Sequence, residues 1–107
     1  MPTEVEKILN ELKQGLVRIH GDRLKVIYLF GSFARGEGRL PDSDIDVMVV
    51  LHGDFNTREM ENRSIDFVSA LCLKYDVVIM CHFISDERFT ESQMPFMLNV
   101  RREAVSV

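Results

Sequence analysis

Tryptophan is absent from this chain of 107 residues, tyrosine and cysteine occur twice each, and proline occurs three times. So little proline, beside only 6 glycines, excludes a collagen-like or low-complexity chain. Cys72 and Cys81 are too few for a disulfide-held miniprotein and are not at metal-ligand spacing. They read as buried thiols of a reducing cytosol. No window reaches the roughly 18 uncharged apolar residues of a membrane span. There is no run of lysine or arginine either: 13 basic residues stand against 17 acidic ones, a net charge of -4. That removes the electrostatic footprint of an autonomous DNA or RNA binder. Met1 to Glu6 is acidic and unlike a secretory leader, so a cytoplasmic protein is expected.

What is present is the composition of a globular domain, 46% apolar and 28% charged, with no repeat or linker to divide it. A single domain over residues 1–107 is expected. A chain of this mass can bury about two-thirds of the surface it exposes when unfolded. Val5, Ile8, Leu9, Leu12, Leu16 and Ile19 recur at helical spacing up to Gly21, which predicts an amphipathic helix over residues 3 to 20. Two short apolar runs, Val26 to Phe30 and Ile45 to Leu51, read as strands buried on both faces. Asn56-Thr57 opens a second long helix whose inner stripe is Met60, Ser64, Phe67, Val68, Leu71, Cys72 and Tyr75. A third strand is expected over Asp76 to Phe83. Ser85-Asp86 and Ser92 are expected to cap two short helices, with Pro95 in a first turn. Strands alternating with helices predict an α/β or α+β fold, a small mixed sheet flanked by helices.

Two short motifs carry chemistry. Gly31-Ser32-Phe33-Ala34-Arg35-Gly36 follows a buried strand directly. There a glycine lets backbone approach a bulky ligand, and Ser32 can cap a short helix whose N–H groups favour phosphate. Ser43-Asp44-Ile45-Asp46 leads into the next strand. Carboxylates two apart on a strand leave the same face about 7 Å apart along the backbone. Crowding such a pair is costly unless it is solvated, partly protonated or holding a divalent cation. Asp42, Asp44 and Asp46 also fall at positions one, three and five of an EF-hand, but Val47 stands where its glycine belongs and Gly53 where its glutamate belongs. A glycosyltransferase Asp-x-Asp site needs a domain longer than this chain. A two-metal phosphoryl-transfer site needs one further oxygen ligand, and Asp76, at the entrance to the next apolar run, is the candidate.

The order of strand, Gly31-Ser32, Arg35-Gly36, Ser43-Asp44-Ile45-Asp46 on an apolar strand, long helix and Asp76-Val77-Val78 resembles the minimal nucleotidyltransferases of the DNA polymerase β superfamily. The resemblance runs from about Val5 to Val105, and Asn99 to Val105 looks like the family's C-terminal helix. It implies that Asp44, Asp46 and Asp76 coordinate two Mg²⁺ ions, for which Mn²⁺ can substitute, with Asp76 helping to deprotonate the attacking hydroxyl. It also implies that Gly31 and Ser32 hold the triphosphate of a nucleotide, expected to be ATP, within reach of Arg35. The expected reaction is transfer of AMP to a hydroxyl. The family implies a helical HEPN-type toxin as the acceptor protein, or a homodimer mate. A catalytically silent module that neutralises its partner by binding is the alternative.

Overall fold

The computed structural model describes residues 3–107. Helix α1 (Thr3–His20) leads through a 3-10 turn (Gly21–Arg23) into strand β1 (Leu24–Phe30). Strand β2 (Ile45–Leu51), helix α2 (Thr57–Tyr75) and strand β3 (Ile79–Ser85) follow. Two short helices, α3 (Asp86–Glu91) and α4 (Pro95–Glu103), then lead to strand β4 (Val105–Ser106). The strands form one sheet in the order β3-β2-β1-β4. β1 is antiparallel to β2 and to β4, whereas β2 and β3 are parallel. Parallel neighbours need a crossover, and α2 supplies it.

The alternation of side chains sorts the central strands onto two cores. Ile27 and Leu29 of β1 and Ile45, Val47, Val49 and Leu51 of β2 are buried together with α1 and α2. Phe30, Met48 and Val50 point to the other face, where Met97 and Val100 of α4 cover them. From Val47 to Leu51 β2 is apolar at every position because both of its faces are buried there, as its sequence implied. Gly15 of α1 faces the Phe67 ring, and a Cβ there would lie 1.9 Å from it, so the missing side chain sets how closely the two long helices approach.

Several boundaries differ from those expected, among them the end of β3, at Ser85 and not Phe83. β1 begins two residues earlier, at Leu24. β3 begins at Ile79 and not at Asp76, because α2 runs to Tyr75 and Asp76 caps it in the left-handed conformation, φ 53° and ψ 51°, donating its N–H to the Cys72 carbonyl. Ser85 caps α3 as expected, but the cap position of α4 is Met94, while Ser92 Oγ accepts the Met94 N–H. The C-terminal helix stops at Glu103: Ala104 turns extended and Val105 pairs with Leu29 of β1. Cys72 and Cys81 are free thiols, half-buried and not fully so.

Candidate active site

β1 and β2 bring the two motifs to one end of the sheet. Phe30 stands opposite Asp46 in the antiparallel register, so Gly31 leaves the strand beside the Asp46 side chain. Gly31 has φ +79°, and a Cβ on it would lie 2.5 Å from Asp46 Oδ2. Only glycine combines that conformation with that approach. Ser32 to Gly36 then form a turn, not the short helix expected: the Arg35 N–H donates to the Gly31 carbonyl (3.1 Å) and the Glu37 N–H to that of Ser32 (2.8 Å).

Asp44 lies one residue ahead of β2 and is exposed, while Asp46, the strand's second residue, is half-buried. Both line an open cleft of about 570 Å³ together with Gly31, Ser32, Arg35 and Asp42. The opposite wall comes from α4, as Phe96, Asn99, Val100 and Glu103. A cleft of that volume is in the range of small-molecule sites. Burial holds the Asp46 carboxyl above the usual carboxylate range, and the charges of Asp44 and Glu103 push the same way, while His82 and Arg35 oppose them. Arg35 is held further towards its charged form by Glu103 and Glu37, and Glu103 is held below the usual range by the Gly31 N–H and Arg35.

Five of the six expected site residues thus meet in one cleft, and Asp76 is not among its walls. Asp76 is the exposed C-cap of α2, three positions before β3 begins. The β3 residue paired with Asp46 is Met80, with 44% of its surface exposed. Among the described residues no group of three or more His, Cys, Asp and Glu side chains could hold a metal ion. Asp44 and Asp46 fit a different arrangement. Mg²⁺ is commonly bound through one or two carboxylates, with substrate phosphates and water completing its shell, and the pair lines the cleft beside the Gly31-Ser32 turn.

No residue of the α4 wall was among the expected site residues. Phe96, Asn99, Val100 and Glu103 follow i, i+3, i+4, i+7 spacing, so one helical face was legible. What it faces was not.

One end of the mixed sheet thus carries a glycine-serine turn and a carboxylate pair, walled by a helix. The chain matches the nucleotidyltransferase domain family over residues 5–104 and belongs to it. It is 37% identical over 99 residues to the Methanocaldococcus jannaschii protein named "Putative protein adenylyltransferase MJ0604", covering 92% of each chain. A second protein of that organism with the same kind of name, MJ0141, is 34% identical over 76 residues, 71% of this chain and 75% of its own. Among solved structures, a toxin-antitoxin crystallised with AMP-PNP shares the fold at a TM-score of 0.62 and 20% identity, over 91% of this chain and 69% of that one. A nucleotidyltransferase-like protein from Sulfolobus solfataricus shares it at 0.56 and 19%, over 99% and 86%. The protein is an enzyme of the nucleotidyltransferase class, and among its described residues no helix is long and apolar enough to cross a membrane.

Proposed function

We propose that this enzyme transfers AMP from ATP to a hydroxyl of a partner protein in the cytoplasm. The observation that carries the reading is the close approach of Gly31 to Asp46, which sets a phosphate-binding turn against a carboxylate pair in one cleft. In the reaction, the acceptor oxygen bonds to the α-phosphorus, the bond from that phosphorus to the bridging oxygen breaks, and pyrophosphate leaves. Ser32 and the turn backbone hold the triphosphate, and the Arg35 guanidinium offsets its charge. Asp44 and Asp46 would hold Mg²⁺, or Mn²⁺ in its place, which supplies charge stabilisation at the transferred phosphate. With Asp76 outside the cleft walls, the acceptor's proton leaves to solvent.

The names of the relatives, one kind acting on proteins and one fold neighbour described as a toxin-antitoxin, support a protein acceptor and a toxin partner. We take that partner to be helical, of the HEPN kind. Incubating the protein with ATP, magnesium and the product of the adjacent gene should add one or more AMP units to that product, read by intact mass spectrometry. A tight complex without a mass change for any nucleotide would favour the binding module instead, a reading for which the place of Asp76 outside the cleft walls is the specific support.

A further inference from the structure

Glu103, 72 positions from Gly31 in the chain, contacts two groups that the proposed phosphate site uses. Its Oε1 accepts the Gly31 N–H at 2.9 Å, and its Oε2 accepts from Arg35 Nη1 at 3.1 Å. Glu103 closes α4, whose Met97 and Val100 are buried against Phe30 and Met48, so the carboxylate is presented by a packed helix. Gly31 is therefore fixed from two sides: the Asp46 carboxylate fills the space a Cβ would take, and Glu103 holds the N–H. Arg35 commits Nε to Glu37 and one Nη1 proton to Glu103. Of the five donors of a guanidinium, the remainder can serve an anion in the cleft.

We propose that Glu103 is a positioning residue for nucleotidyl transfer, fixing Gly31 against Asp46 and orienting Arg35 so that the triphosphate meets a preformed set of donors; this rests on reading Gly31, Ser32 and Arg35 as the phosphate site. Charge alone acts in the opposite direction. A carboxylate added to a cleft that already holds Asp42, Asp44 and Asp46 repels an anion, so removing Glu103 gives opposite signs for positioning and for repulsion.

The test compares Glu103→Ala and Glu103→Gln with the wild-type chain, using ATP with magnesium in calorimetry and the amide spectrum without nucleotide. Glu103→Ala should move the Gly31 amide resonance and weaken ATP binding about tenfold, the scale of a lost charge-assisted hydrogen bond. Glu103→Gln, whose amide oxygen still accepts the Gly31 N–H, should bind within about threefold of wild type. A merely structural role would lower thermal stability for both variants without that rescue. Tighter ATP binding by Glu103→Ala would overturn the proposal and make Glu103 a competitor for the phosphate donors. Unchanged binding, or an unmoved Gly31 amide, overturns it as well. If Glu103→Ala does not fold, Glu103→Asp decides: it keeps the charge but withdraws it by one methylene, and undiminished ATP binding overturns the proposal. Absence of ATP binding by the wild-type chain brings down the phosphate reading and the proposal with it, and the wild-type titration alone shows that case.

Discussion

Asp46 on β2 and Met80 on β3 are register partners in the parallel pair, so a thioether stands beside the more buried of the two site carboxylates. Placing a carboxylate there tests the metal assignment. Met80→Asp should tighten Mn²⁺ binding roughly tenfold, because affinity at such sites rises with the number of charged ligands, and AMP transfer should rise with it. Unchanged Mn²⁺ affinity by calorimetry would show that the ion does not sit between β2 and β3.

Asp46→Asn is expected to abolish metal-dependent transfer and to stabilise the fold at neutral pH. Burial favours the protonated Asp46 carboxyl in the folded state, so folding binds protons and stability falls as pH rises from below the unfolded value through the raised folded one. Asparagine removes that dependence. Differential scanning fluorimetry at pH 7 should show a rise of about 2 °C in Tm, with no gain at pH 3, where the wild-type carboxyl is protonated in both states.

Asp76 offers the opposite test. As an exposed residue at φ 53°, it is the position where a helix commonly ends on glycine. Asp76→Gly should stabilise the chain by on the order of 1 kcal/mol in urea unfolding, and transfer should stay within about twofold of wild type, a difference near 0.4 kcal/mol in barrier. A loss of transfer of a hundredfold would return Asp76 to the site.

His20 is buried, its Nδ1 has no hydrogen-bond partner among the described residues, and burial, with the charges of Arg63 and Arg23, lowers its pKa. The unfolded chain therefore takes up the proton first. The contribution is complete above the unfolded histidine value near 6.5 and is lost as pH falls towards the lowered folded one. Urea midpoints should be lower at pH 5 than at pH 7.5, and His20→Gln should reduce that difference. An equal slope in the variant would assign the acid sensitivity elsewhere.

The parts of the fold that depend on neighbours in sequence were legible. β2 could be read from Ile45 to Leu51 because both its faces are buried, and the meeting of Gly31 with Asp46 follows once two consecutive strands pair. Asp76 misled because Asp-Val-Val looks like a strand entrance, whereas α2 needed a residue able to adopt positive φ and had no glycine there; aspartate tolerates that region better than most. Glu103 was invisible for another reason. Its partners are fixed by the packing of α4 on Phe30 and Met48, and no local pattern says which end of a sheet a helix will cover.

The pairing of β4 with β1 joins Tyr28 to Ser106 and Leu29 to Val105, and it sets an order of assembly. Contacts so distant along the chain close slowly, because the entropy of a long loop must be overcome before they form. On a ribosome, α1, β1, β2 and α2 have all emerged before the helix that walls the cleft and the strand that anchors it. The nascent chain thus displays its carboxylate pair and glycine turn well before α4 supplies the facing wall of the cleft.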